Sequence, residues 1–315
     1  MTVPPIRFGL QADLDSDPRA WLDLARRAEG SGFDALYVAD HLGATASPFT
    51  ALAAAAGATS TLKLGTYVLN TGIRDPLSIA SEAATLDVIS HGRFMLGLGA
   101  GHTPAEWSMT GREYPPPAAR VGRLEETVEV VGRLLNGEVV THHGAQVHVD
   151  GAFLLTPRPV QSPIPLLIGG GGARVLRLGG RRAEVVSFTG TGRTLGDGHH
   201  HEVDWTDAAI GAGVAHVRAA SGERASGERA SVLDALVQHV GITDDRAAAA
   251  ELVAARVAGA TPSDVLGSPF VLLGTLDELV DEVMRHHERW GFSSYVVRTG
   301  AIDAVTALIE RLRRA

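Results

Sequence analysis

Near the N-terminus the chain repeats one device three times. A short apolar run is followed by a capping residue and proline, at Asp17-Pro18, Ser47-Pro48 and Asp75-Pro76. Ser or Asp at the N-cap with proline at the first helical position opens a helix, because proline's missing N–H is one that the first turn leaves unpaired anyway. The apolar runs before and between these helices are Ile6 to Leu10, Ala35 to Ala39, Leu62 to Leu69 and Phe94 to Leu98. They do not alternate with polar residues, as expected of strands buried on both faces. Short buried strands alternating with helices demand parallel pairing with right-handed crossovers.

The pattern continues less regularly. After Pro115-Pro116-Pro117, Arg120 to Leu135 reads as a long helix with Glu125, Glu126 and Glu129 on a solvated face. Val139 to His142 and Gln146 to Val149 flank His143-Gly144 as a small hairpin outside the main sheet. Leu166 to Ile168 and Glu184 to Phe188 are the fifth and sixth strands, with a helix from Ala173 to Leu178 between them. Leu233 to Val240 and Ser294 to Val297 complete eight, with Leu276 to Trp290 and Asp303 to Arg314 as helices. The count predicts a single α/β domain over 1–315, a (β/α)8 TIM barrel with insertions at about 100–160 and 190–206; a doubly wound open sheet is the alternative. The tandem Ser-Gly-Glu-Arg-Ala at 221–230 is too short for a structural repeat and reads as a lengthened loop or frayed helix end.

Composition narrows the function. Of 315 residues 45% are hydrophobic, enough for a large core, and none is cysteine, which rules out disulfides, thiolate metal sites and a cysteine nucleophile. A net charge of −8 argues against a general nucleic-acid binder. No apolar stretch is long enough to span a bilayer, and the first residues lack the pattern of a secretion signal, so a cytoplasmic protein with a small-molecule ligand is expected.

In a barrel, chemistry collects just past the C-terminal ends of the strands. Those positions here are Gln11, Asp40-His41, Asn70, the loop from Gly99 to Glu106, Gly169 to Gly172, and Ser187 with Thr189. His41 can donate a proton near neutral pH, or the Asp40-His41 pair caps the next loop. Glu106 is a proton donor if burial raises its pKa, or a carboxylate favoured by a helix N-terminus. Gly97-x-Gly99-x-Gly101 is no dinucleotide fingerprint, since His102 stands where close packing needs glycine or alanine; these glycines would let a flat ring approach the backbone. Gly169, Gly170, Gly171 and Gly172 between a strand and a helix form an anion site, with Arg174 one turn in to pair with the anion or stay solvated. His199, His200 and His201 are adjacent in a glycine-rich loop and suit a surface segment better than a metal site. Asp87 and Arg93 are expected to be structural.

The stretch Asp87-Val88-Ile89-Ser90-His91-Gly92-Arg93-Phe94-Met95-Leu96-Gly97-Leu98-Gly99-Ala100-Gly101 resembles the signature of the bacterial-luciferase-like superfamily, whose members use flavin or the deazaflavin coenzyme F420. The resemblance extends over most of the chain. Ile168 to Gly172 and Arg74-Asp75-Pro76 look most like the deazaflavin-dependent branch. It implies an F420-dependent oxidoreductase, with FMN as alternative cofactor in a monooxygenase and a non-catalytic flavin-binding paralogue as an alternative of another class. A metal-dependent barrel hydrolase is a more distant alternative.

By resemblance His41 and Glu106 are catalytic, with Asp40 orienting His41. Asp40, Tyr67, Val68, Asn70, Gly99, Gly101, His102, Gly169 to Gly172 and Arg174 would lie at the cofactor, the four glycines holding its phosphate. The segment Leu64-Gly65-Thr66-Tyr67-Val68 matches one that carries a non-proline cis peptide, which falls at Tyr67-Val68. The family also implies a homodimer. Some sugar-phosphate and alcohol dehydrogenases of the branch carry a tryptophan soon after the Asp-His pair. Leu42, Gly43, Ala44 and Thr45 stand here instead, which argues against sugar-phosphate or simple alcohol oxidation. The resemblance to the branch implies a small-molecule or peptide-derived substrate with an activated C=C or C=N bond to be reduced.

Overall fold

A computed structural model of the chain describes residues 6–15, 17–192, 202–222 and 230–314. The Asp-Pro and Ser-Pro pairs act as read. Strand β1 (Arg7–Gln11) leads to α1 (Pro18–Gly30), where Asp17 accepts the Arg19 N–H at 2.8 Å. Strand β2 (Ala35–Val38) leads to α2 (Pro48–Ala58), with Ser47 at the N-cap position. Strand β3 (Lys63–Thr66) and the two-residue β4 (Leu69–Asn70) precede α3 (Pro76–Ile89), where Asp75 accepts the N–H groups of Leu77 and Ser78. The expected single strand over Leu62 to Leu69 is thus interrupted, and the Tyr67–Val68 peptide bond at the interruption is cis.

Strand β5 (Phe94–Gly99), entirely buried, is followed by the short α4 (Pro104–Met109) and the long α5 (Pro117–Leu135). The proline triplet is the start of α5 rather than a break before it, with Pro116 as N-cap and Pro117 as first helical residue. The antiparallel hairpin β6 (Val140–His143) and β7 (His148–Ala152) forms its own two-stranded sheet. Glu126 is not simply solvated. Half-buried on α5, it accepts the N–H groups of Ala145, Gln146 and Val147 at 3.1, 3.0 and 2.7 Å and so closes the hairpin turn.

Strand β8 (Leu166–Gly169), α6 (Ala173–Arg182) and β9 (Val185–Phe188) follow, then α7 (Asp207–Ser221) and β10 (Val232–Leu236). The run expected as one strand from Leu233 to Val240 is two. After β10, Gln238 donates its N–H to Phe270, and β11 (His239–Ile242) pairs instead with β12 (Val271–Gly274), across helices α8 (Arg246–Ala254) and α9 (Pro262–Gly267). Helix α10 (Leu276–Trp290), opened by a Thr275–Glu278 capping box, leads to β13 (Phe292–Arg298). A 3-10 turn (Thr299–Ala301) then enters α11 (Ile302–Arg314). The histidines at 199–201 and most of the tandem repeat lie outside the described residues, as does the middle of the expected 190–206 insertion.

Contacts divide the chain into two compact units, one of Asp13–Arg27 with Leu36–Ile168, the other of Met1–Ala12, Ala28–Ala35 and Gly169–Ala315. In the first, the strand order is β2, β3, β5, β8, with β4 also on β5; the ladders of β5 with β3, β4 and β8 are parallel. In the second, the order is β9, β10, β13, β1, all parallel. Four strands from each, joined in sequence by helices, make the (β/α)8 barrel class expected from the alternation.

Two polar residues, one buried and one part-buried, brace the first unit. Asp87 on α3, fully buried, accepts the N–H groups of Val160 and Gln161 and the Gln161 side-chain amide at 2.7, 2.9 and 2.7 Å. Arg93 donates to carbonyls of Ala56, Thr59, Leu62 and Ser90, which ties the end of α2 to the start of β5. Both are structural, as expected.

Candidate active site

Three strand ends of the first unit bring the acid–base residues together. His41 lies three residues past β2, its N–H donated to Thr45 Oγ1 at 3.0 Å and its side chain 39% exposed. Asn70 ends β4 and is buried. Glu106 stands in the first turn of α4, past β5, and is only 3% exposed. Glu106 Oε1 lies 2.8 Å from His41 Nδ1, and Glu106 Oε2 accepts the Asn70 side-chain amide at 2.5 Å. Both carboxylate oxygens therefore have partners, and both partners come from residues far away in the chain.

A carboxylate this deep is costly without a counter-charge. The hydrogen bond that His41 makes to Glu106 is the main cause that raises the His41 pKa above its ordinary 6.5; partial burial opposes it, and the charges of Glu106, Asp40 and Asp13 add to it. Glu106 thus favours the imidazolium form of His41, with Nδ1 on the carboxylate and Nε2 without a hydrogen-bond partner among the described residues. In that form Nε2 carries a proton that the ring can give up.

Asp40 does not orient His41, contrary to the sequence expectation. Its carboxylate is buried and held by the Arg74 guanidinium, Nε to Oδ2 at 2.6 Å and an Nη to Oδ1 at 2.8 Å. Asp40 Oδ2 also accepts the backbone N–H of Asn70 at 3.1 Å. Two like charges so close to His41 stay apart because Asp40 has its own cation. Glu82, 3.7 Å from Arg74, has its carboxyl pKa raised by burial despite that guanidinium.

The glycines of the β5 loop also differ from expectation. The space that a Cβ at Gly97 would need is filled by the Thr66 carbonyl oxygen, 1.9 Å away, with the Val68 side chain at 3.3 Å. At Gly101, with φ +72°, it is filled by Asn70 Oδ1 at 2.1 Å and the Trp107 ring at 2.3 Å. These glycines admit the protein's own atoms rather than a ring system. Gly99 serves through its carbonyl, which accepts from the N–H and hydroxyl of Thr71.

The loops are clamped from outside. Arg120 and Arg123, one turn apart on α5, donate to backbone carbonyls: Arg120 to Gly101, and Arg123 to Thr71, Arg74 and Gln146. Arg120 also lies 4.4 Å over the Tyr114 ring, which meets Trp107 edge-on at 5.0 Å. Tyr114 donates its hydroxyl to the carbonyl of His102, and the exposed His102 ring stands edge-on to His41 at 5.5 Å. Tyr67 is buried against Tyr37 at 5.1 Å, and Val68 is partly exposed.

In the second unit, Gly172 is the N-cap of α6, and no side chain caps that end among the described residues. A Cβ at Gly172 would meet nothing within 4 Å, and at Gly171 only the Thr191 carbonyl at 3.3 Å. Gly170 donates its N–H to Ser187, and Arg174 is exposed at the second helical position. The open, uncapped start of a ten-residue helix is the arrangement that an anion fits.

A family model described as luciferase-like monooxygenase matches residues 2–294. The chain belongs to that family. A curated relative is the F420-dependent glucose-6-phosphate dehydrogenase of Nakamurella multipartita, 37% identical over 193 residues, which are 58% of this chain and 56% of that protein. The chain thus spans little more than half the length of the curated relatives it matches. Among solved structures, the coenzyme F420-dependent tetrahydromethanopterin reductase from Methanopyrus kandleri is 23% identical with a TM-score of 0.76, covering 97% of both chains. An F420-dependent secondary alcohol dehydrogenase in complex with an F420-acetone adduct is 21% identical with a TM-score of 0.77, covering 98% of this chain and 100% of that one. At these identities the likeness is one of fold.

In this luciferase-like chain, sequence reasoning found His41, Glu106 and Asn70 but missed their supports. Arg74 was visible only as part of a motif, although an arginine four residues past a strand-end asparagine was a signal. Trp107, Tyr114, Arg120 and Arg123 carried none, because their partners are backbone carbonyls and other rings. Among the described residues no cluster could hold a metal ion, and no helix is long and apolar enough to cross a membrane.

Proposed function

We propose that the protein is an F420-dependent oxidoreductase, in which His41 and Glu106 handle the proton that accompanies hydride transfer to or from a small organic substrate. The observation that carries this reading is the buried Glu106 bridging His41 Nδ1 and the Asn70 amide, which favours the charged form of a part-exposed histidine and leaves its Nε2 without a hydrogen-bond partner among the described residues. The printed names of the relative from Nakamurella multipartita and of both structural neighbours support the choice of F420. The uncapped start of α6 supports a phosphate-bearing cofactor, with Gly171, Gly172 and Arg174 as the residues that would hold its phosphate.

When bound, a deazaflavin supplies a two-electron hydride couple, because carbon replaces the nitrogen through which a flavin activates oxygen. The protein's own residues do the rest. His41 donates a proton from Nε2 in the reducing direction, passing from imidazolium to neutral imidazole, or accepts it in the oxidising one, and Glu106 stabilises the charged form before the donation or after the acceptance. Asn70 fixes the second Glu106 oxygen so that the carboxylate cannot swing away, and Arg74 keeps Asp40 from competing for His41. The preferred reaction is reduction of an activated C=C or C=N bond, in a cytoplasmic homodimer. The relative's name offers sugar-phosphate oxidation as the comparison.

Parallel fluorescence titrations of the apo-protein with oxidised F420 and with FMN test this. Binding of F420 alone, with reduction of it by glucose 6-phosphate absent and turnover of enone or imine substrates present, is the expected outcome. Binding of FMN in preference, with oxygen-dependent activity, would replace the reading with a monooxygenase.

A further inference from the structure

The mechanism makes no use of a polar group that ends the strands of the second unit. Arg298 is the last residue of β13 and lies in register beside Gln11, the last residue of β1. Its guanidinium donates to Gln11 Oε1 at 3.2 Å and reaches Gln238 Oε1, just past β10, at 3.5 Å. Gln238 is itself anchored, its amide N–H donated to the Thr189 carbonyl at 2.9 Å, which turns its oxygen toward Arg298. Thr189 in turn shares a hydroxyl hydrogen bond of 2.9 Å with Thr191. Thr191's carbonyl is the neighbour of Gly171 at the start of α6.

Two features make this more than a surface arginine. Among the described residues no carboxylate lies within ion-pair distance of Arg298, so its charge is oriented but not neutralised. The two amide oxygens take one N–H from each terminal nitrogen, and a guanidinium has five N–H donors, so enough remain for a bidentate partner. A buried Gln11 and an anchored Gln238 hold the fork in place before any ligand arrives, which removes much of the ordering cost that a free arginine carries.

We propose that Arg298, set by Gln11 and Gln238, is a receptor for an anionic group of the substrate, a carboxylate or a phosphate. Its assignment to the substrate rests on the oxidoreductase reading above. It gives the substrate a carboxylate or phosphate in addition to the reducible C=C or C=N bond. Arginine rather than lysine suits this role because both anions present two oxygens at the spacing of the fork.

The test is a calorimetric titration of the full chain, with and without bound F420, using inorganic phosphate and succinate as probes at constant ionic strength. The proteins compared are the wild type, Arg298→Gln and Arg298→Lys. Arg298→Gln is expected to bind at least one probe about tenfold or more weakly, the loss of one charge-assisted hydrogen bond, while its affinity for F420 is unchanged. Arg298→Lys should retain part of the phosphate affinity and lose more for succinate. The stronger probe identifies the class of anion. Equal binding of both probes by wild type and Arg298→Gln, or no binding by the wild type, overturns the proposal. Weaker F420 binding by Arg298→Gln also overturns it, by making Arg298 part of the cofactor site. Arg298-dependent anion binding in a protein that does not take F420 would instead refute the proposed function and leave the receptor standing.

Discussion

In the proposed mechanism His41 and Glu106 divide the proton chemistry by position alone. The imidazole is part-exposed and the carboxylate buried, so the ion pair stabilises the charged histidine rather than a neutral acid. Glu106→Gln removes the main cause of the raised His41 pKa. NMR titration of His41 is expected to show its midpoint lower in this variant, and the alkaline limb of the activity profile should move the same way. An unmoved midpoint would show that Glu106 does not set it. His41→Ala should lower kcat by about 10²- to 10⁴-fold, the usual contribution of a positioned acid–base group, with F420 affinity retained. The sequence placed His41 and Glu106 at strand ends, but two carboxylates, Asp40 and Glu106, were equally available to pair with the histidine. Adjacency favoured Asp40. The choice was decided by Arg74, whose bidentate hold on Asp40 leaves only Glu106 free to face the ring.

At the level of elements, the strands and their opening caps were legible because each depends on local chemistry: a run of apolar residues, or a proline behind Asp or Ser. The braces between elements were not. Asp87 holds residues 160 and 161, which are more than seventy positions further on, through three donors that no spacing rule connects. Asp87→Ala removes the acceptor of two part-buried backbone N–H groups and one of the two acceptors of the Gln161 amide, and should cost about 1–3 kcal/mol in urea denaturation, whereas a surface carboxylate would cost almost nothing. The split of β10 from β11 was illegible for a related reason: Leu233 to Val240 has no proline or glycine to end a strand, and only the pairing with β12 divides it. Gly97→Ala is predicted to be among the most damaging small changes, since its methyl would sit 1.9 Å from the Thr66 carbonyl. A melting temperature equal to that of the wild type would contradict that packing.

For the molecule as a whole, two histidines give stability opposite dependences on pH. His286 on α10 is buried beside Glu282 and Tyr295, and desolvation, with Arg285, Arg246 and Arg289 nearby, pushes its pKa down to about 3. The unfolded chain binds that proton near 6.5, so the native state loses stability as pH falls below 6.5 toward 3, at up to about 1.4 kcal/mol per pH unit. His41 has its pKa raised, so its contribution is full below 6.5 and lost as pH rises through its folded value. Urea denaturation across pH 4 to 9 should show the acid slope reduced in His286→Gln and the alkaline slope reduced in Glu106→Gln; equal slopes in wild type and variants would exclude both assignments. The barrel class was legible from eight alternating strands; His41 and Glu106 were legible as candidates, but the pKa shifts behind these slopes were not, because burial is a property of the packed chain. One consequence follows from where the parts lie along the chain. The whole His41, Glu106, Asn70, Asp40 and Arg74 chain comes from residues 36–168, whereas the open start of α6 and Arg298 come from beyond residue 168. In the proposed mechanism, a substitution beyond residue 168 can therefore change which ligand is held without touching any residue that handles the proton.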